Sequence, residues 1–147
     1  MANETKKFYG TQFTLSSGSD GTIASTAVGT PAGTNPYSTT QTGDYPHMWL
    51  YLTSGFSTTA TLNGTIDVHV VPQNLDGTSV DAAVITATYR PYYKGSFVVP
   101  AVSASDTYYC EIYDLPKEGK IMLYNAAGAT LSANYTLKGT PFTYGPA

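Results

Sequence analysis

At 147 residues the chain has the length of one domain with a real hydrophobic core, and its 41% apolar content excludes a disordered polymer. Charged residues make up only 12%, about half the usual share for a soluble protein, and Thr, Ser, Gly and Tyr fill the gap. A net charge of −3 with seven scattered Lys and Arg excludes general nucleic-acid binding, which needs a basic stripe to replace counterions.

The weakly charged, Thr/Ser/Tyr-rich composition suits a surface covered by neighbours, or one that works outside cells. Cys110 is the single cysteine, so no intrachain disulfide forms and packing must supply stability. Ala-Asn-Glu-Thr-Lys-Lys follows Met1 with no apolar stretch behind it, so no secretory signal is expected. No apolar run approaches the ~20 residues that a membrane-spanning helix needs, and no membrane partner is expected.

In chain order, Phe8, Tyr9, Phe13 and Leu15 precede a run from Ser16 to Asp44 dominated by Ser, Thr, Gly and Pro. A short strand fits around Thr22–Val28, but most of this stretch reads as extended chain. Residues 1–45 are therefore expected as an N-terminal arm. It either reaches a neighbouring surface or lies along its own sandwich, because a compact domain seldom holds a 20-residue structureless loop. Residues 46–147 are expected to form the sandwich itself. His47–Leu52 sets Met48, Leu50 and Leu52 on one face against Trp49 and Tyr51. Thr58–Leu62 alternates weakly, and Asn63-Gly64 is a tight-turn dipeptide that favours a hairpin.

Thr65–Val71 gives the clearest strand, with Ile66, Val68 and Val70 opposite Asp67 and His69. Pro72 ends it. Ala82–Ala87 suits a helical turn, though Val84-Ile85-Thr86 serves equally as strand. Further strands are predicted at Gly95–Val99, Asp106–Asp114, Lys120–Tyr124 and Thr130–Lys138, with the tail Gly139–Ala147 as an edge or docking segment. The sum is an all-β fold, an antiparallel sandwich or jelly roll of about seven to nine short strands.

Chemistry-bearing constellations are scarce. His47, His69 and Cys110 do not make a zinc set, and no cofactor or metal is expected. No Gly-x-Ser-x-Gly elbow is present, and His69 lies in mid-strand, where it reads as a polar residue on the solvent face. Glu111 and Asp67 could share a sheet face, but nothing in the spacing favours a glycosidase pair. Asp20-Gly21, Asp76-Gly77 and Asp106 read as turn chemistry before calcium ligation. Cys110 reads as a buried inert thiol. No catalytic residue is assigned, and no enzyme is expected.

The aromatic load is the stronger signal: thirteen Tyr, five Phe and one Trp. Alternation leaves Trp49, Tyr51, Tyr109 and Tyr113 opposite the aliphatic positions, so the two faces cannot both be plain solvent surfaces. Tyr and Trp are favoured where one end is apolar and the other wet. Phe8, Tyr9, Phe13, Trp49, Tyr51, Tyr109, Tyr113, Phe142 and Tyr144 are therefore the candidate protein-interface residues, and a carbohydrate platform is the alternative use.

The phrases Gly64-Thr65-Ile66-Asp67-Val68-His69-Val70-Val71-Pro72, Tyr93-Lys94-Gly95-Ser96-Phe97-Val98-Val99 and Gly119-Lys120-Ile121-Met122-Leu123-Tyr124-Asn125-Ala126-Ala127-Gly128 resemble small β-sandwich virion proteins of tailed bacteriophages. The resemblance extends over roughly residues 45–140 and rests on texture and short phrases. It implies a structural role on the virion, such as head decoration (cement). The partners it implies are the major capsid protein, other virion proteins and further copies of the chain, with a homo-oligomer, possible as a trimer, in place of nucleic acid or membrane. A carbohydrate- or receptor-binding module of a phage tail is the alternative.

Overall fold

The computed structural model describes residues 5–146. Its elements are β1 (Thr5–Tyr9), β2 (Phe13–Ser17), β3 (Val28–Gly29), α1 (Thr39–Thr42), β4 (His47–Ser54), β5 (Gly64–Pro72), β6 (Tyr93–Val99), β7 (Asp106–Ile112), β8 (Gly119–Ala126) and β9 (Thr136–Pro146). The fold is all-β and antiparallel. One sheet runs β1/β2–β9–β4–β7 and the other β3–β8–β5–β6.

This order has a simple generator. β1/β2 pairs with β9, β3 with β8, β4 with β7 and β5 with β6, all antiparallel. The chain therefore behaves as one long hairpin closed at β5–β6 and wound so that successive pairs fall in alternate sheets. Pairing of β4 with β9 and of β5 with β8 then knits the turns of the winding together. That is the jelly roll.

Period-two patterning sets the core. In β4 Met48, Leu50 and Leu52 are fully buried, and across the sandwich Ile66, Val68, Ile121 and Leu123 meet them from β5 and β8. Several boundaries differ from the sequence reading. Thr58–Leu62 is not a strand; Asn63, in the left-handed region at φ 60°, turns the chain into β5 without making a hairpin. Ala82–Ala87 is neither helix nor strand. The last strand starts only at Thr136 and runs through the tail, whereas Leu131 makes isolated bridges to Ile23 and Phe56.

Of the two readings of segment 1–45, the described residues follow the second, along its own sandwich, and the sandwich therefore begins well before residue 46. Residues 1–4 lie outside the described part, but from Thr5 onward the segment belongs to this sandwich. β1 and β2 form the edge of one sheet, β3 borders the other, and Leu15, Ile23 and Tyr37 sit in the common core. Polar side chains that bond core backbone explain why so polar a stretch docks at home. Asn125 donates to the Ile23 and Ala129 carbonyls, both at 2.8 Å. Asn35 bonds both the carbonyl and the N–H of Ile121, and the Tyr37 hydroxyl donates to the Pro116 carbonyl. α1 follows as a single turn with a Ser38/Gln41 capping box.

The two outer faces are treated differently. Over the β3–β8–β5–β6 sheet the chain between β5 and β6 folds back, and Ile85 packs on Val71 and Met122. Arg90 lies 4.0 Å over the Tyr124 ring. His69 is on this outer face as the alternation predicts, yet it is buried: Pro91 and Tyr93 cover it, and its Nδ1 lies 2.8 Å from the Pro91 carbonyl oxygen. The expectation of a solvent-facing His69 fails because the covering loop is invisible to strand periodicity.

Candidate functional site: an uncovered aromatic sheet face

No described segment folds over the opposite sheet. The registers place Lys7 and Tyr9 of β1, Phe142 and Tyr144 of β9, His47, Trp49 and Tyr51 of β4, and Tyr109 and Glu111 of β7 on its outer side. Tyr113 follows directly after β7 on the same face. Strand pairing brings these rings from the two ends and the middle of the sequence into one layer. His47 contacts the rings of Tyr113 at 4.9 Å and Phe142 at 5.3 Å, while Tyr109 meets Tyr51 edge-on at 5.3 Å.

The sequence-predicted interface residues divide on inspection. Tyr9, Trp49, Tyr51, Tyr109, Tyr113 and Tyr144 share this face, and Tyr109 is the most open of them at 59% exposed. Phe142 points the same way but is 0% exposed, roofed by Lys7 and ringed by Tyr9, His47, Tyr113 and Tyr144. Phe13 packs against the core beside Gly139, and Phe8 lies against Gly145 with Lys6 over its ring. Phe13 and Phe142 are therefore structural members, not surface.

Lys7, His47 and Glu111 were not expected here. From the β1 edge the Lys7 side chain crosses β9 and β4 to reach Glu111 on β7, at 2.5 Å between Nζ and Oε1. On the way its ammonium lies 4.9 Å from the centre of Phe142, 5.2 Å from Trp49 and 5.7 Å from Tyr144. The Tyr113 hydroxyl donates to the other Glu111 oxygen, and His47 Nδ1 accepts from the Asp114 N–H. Hydrogen bonding to Glu111 raises the Lys7 pKa above its ordinary 10.5. Glu111 is partly desolvated, which opposes ionisation, but the bonds from Lys7 and Tyr113 and the Lys7 charge outweigh this and hold its pKa below 4.5. The alternation of Asp106–Asp114 places Glu111 between Tyr109 and Tyr113 on one face. Nothing local could have paired it with a lysine 104 residues away.

Beside this clasp lies a shallow open depression of about 420 Å³ lined by Tyr9, Trp49, Tyr51 and Tyr109. The Trp49 and Tyr51 rings are inclined by only 25° with centres 6.3 Å apart. It offers a broad aromatic floor for a partner group, with polar edges.

The remaining chemical candidates resolve into local structure. Asp67 accepts from the Ser96 hydroxyl on the opposite outer face from Glu111, so the two carboxylates do not share a face. Asp76 accepts from the N–H groups of Val80, Ser79 and Thr78 and from the Thr78 hydroxyl, which holds its pKa well below the usual carboxylate range. Burial pushes the Cys110 thiol up to about 11. Among the described residues no three His, Cys, Asp or Glu side chains are grouped to hold a metal, and no helix is long and apolar enough to cross a membrane.

Fold and site together define a jelly-roll domain with one face covered by its own loop and the other left aromatic and open. Comparison with known proteins gives no matching family model, no matching curated sequence and no matching solved structure.

Proposed function

We propose that the chain is a non-enzymatic structural subunit of a bacteriophage particle, a head decoration protein that contacts the major capsid protein and copies of itself. The observation that carries the reading is the asymmetry between the sheets: the chain covers one outer face with its own loop, whereas no described segment covers the other, which is aromatic and carries the Lys7–Glu111 pair and Lys138. Contiguous exposed aromatic surface of this kind marks an interaction site. Jelly rolls build viral capsid domains, although lectins and cupins share them, so the face and not the fold carries the argument. The resemblance of the β5, β6 and β8 phrases to small virion proteins points the same way.

The test is co-sedimentation of the purified chain with particles stripped of it. Stoichiometric binding that restores thermal resistance, and is lost when Tyr109 and Tyr113 are both changed to Ala, is the expected result. A chain that ignores particles sinks the proposal. The open depression favours one second reading, a carbohydrate- or receptor-binding module of a phage tail. Binding to host cells or polysaccharide without binding to particles would select it.

A further inference from the structure

We infer that the depression formed by Tyr9, Trp49, Tyr51 and Tyr109 is a subsite for an acidic sugar, a pyranose bearing a carboxylate, with Lys138 holding that carboxylate. The inference rests on the carbohydrate reading of the depression given above and adds to it the class of sugar.

Charge at the site favours an anion. Lys7 and Glu111 cancel each other across the face. Lys138 is left over: it stands on β9 directly across from Tyr51, is exposed, and has no carboxylate partner among the described residues. Tyr109 flanks Tyr51 on the other side, so Lys138, Tyr51 and Tyr109 form one row across the sheet. Paired cross-strand residues have Cβ atoms about 5 Å apart, which brings the Lys138 ammonium to the rim of the depression. The nearby acids point elsewhere. Asp106 begins β7 on the core-facing side of the alternation and accepts from the Thr107 N–H, and Asp114 lies at the far end of the face, beside His47. Asp67 is on the opposite sheet, and Asp76 and Asp81 are in the loop that covers it.

The rings decide what kind of molecule carries the charge. An aromatic face is itself negative and repels a carboxylate laid on it, so the anion belongs at the Lys138 rim and an uncharged C–H surface belongs over the rings. A pyranose with a carboxylate has both in one rigid unit. The Trp49 and Tyr51 rings, inclined by only 25° with centres 6.3 Å apart, make a nearly flat shelf for it, and about 420 Å³ is the size of a small-ligand site. The tyrosine hydroxyls, the indole N–H and the amide of Gln12, which donates to the Thr140 hydroxyl across from Trp49, supply partners for sugar hydroxyls. An acidic side chain from a protein partner brings the carboxylate but no flat apolar face to lay on the shelf.

Trp49 is the single tryptophan, so its fluorescence reports on the site directly. The full chain is titrated with an oligogalacturonate, with the same oligomer methyl-esterified at every carboxyl, with a Glu-rich peptide, and with sodium acetate at equal ionic strength. A saturable change with the oligogalacturonate is expected, with affinity about threefold or more above that for the ester. Lys138→Met should abolish that preference and Lys138→Arg should keep it, and neither exposed substitution touches the core. Equal binding of acid and ester, or a preference that survives in Lys138→Met, overturns the acidic sugar and leaves the carbohydrate reading standing. A response to the peptide or to acetate without one to either sugar, or no response at all, overturns both. Co-sedimentation with stripped particles, run on the same samples, judges the decoration proposal separately.

Discussion

Lys7 ties the open face together, and its pairing with Glu111 fixes how that face responds to pH. Glu111 has a folded-state pKa below its ordinary 4.5, so its share of stability is present above 4.5 and is lost as pH falls through the lowered value. Lys7 is raised above 10.5, so its share is present below 10.5 and is lost as pH rises through the folded value. The clasp therefore holds across the neutral range and opens in acid. Changing Lys7 to Met removes the charge and hydrogen bond that oppose desolvation, and the Glu111 carboxyl midpoint, read by NMR, is expected to move up. A midpoint that stays put would show that Lys7 is not the cause. Tyr108 poses a different case: its hydroxyl is buried with no hydrogen-bond partner among the described residues. Tyr108→Phe is expected to leave stability unchanged or raise it by up to about 1 kcal/mol in urea unfolding, because an unsatisfied buried hydroxyl favours the unfolded state. Trp49, Tyr51, Tyr109 and Tyr113 could be assigned to one side of their strands from alternation alone. Lys7 and Phe142 could not, and for His47 alternation gives the side but not its contacts with Tyr113 and Phe142, since these arise where strands remote in sequence lie side by side.

Among the elements, the β1/β2 edge shows how sequence and structure part company. β4, β5 and β7 are legible because apolar and polar residues largely alternate along them, and β6 and β8 because short apolar runs, Phe97–Val99 and Ile121–Leu123, stand between turn residues. β1 and β2 were not, because Thr, Ser, Lys and Gly dominate them and their partner β9 lies at the other end of the chain. Proline and glycine in β9 hid that strand in turn. Pro141 is tolerated in mid-sheet because its carbonyl accepts from the Gly10 N–H, so its polar side faces the break between β1 and β2, where a missing N–H costs no ladder bond. Gly10 itself must be small: a Cβ there would stand 2.9 Å from Pro141 Cγ and 3.3 Å from the Tyr45 ring. Gly10→Val is expected to destabilise by about 1–3 kcal/mol in urea unfolding, the usual cost of overpacking. If stability is unchanged, the close approach of the edge to Pro141 is not a constraint.

At the scale of the molecule, the loop between β5 and β6 and the aromatic sheet are complementary halves of one design. Ile85 pins the loop onto Val71 and Met122, and its side chain is 3% exposed. Ile85→Ala is expected to cost about 2 kcal/mol, at the low end for core truncations because the cluster is small, and to open the loop to proteolysis between Leu75 and Arg90. Protection as strong as in the wild type would mean that other contacts hold the loop down. Since this loop lies on the far side from the aromatic face, the ring contacts of His47 and Tyr109 are expected to persist in the variant at temperatures where it stays folded, as read by NMR.

Pairing the first strands with the last has a kinetic result. β1 and β2 can find β9 only after Thr136–Pro146 has left the ribosome, and closing a loop of that span makes such pairings late steps in folding. Tyr9, Lys7 and Tyr144 come together only in those steps, so a chain that lacks β9 is expected to lack the aromatic face as well, however well its other strands pair.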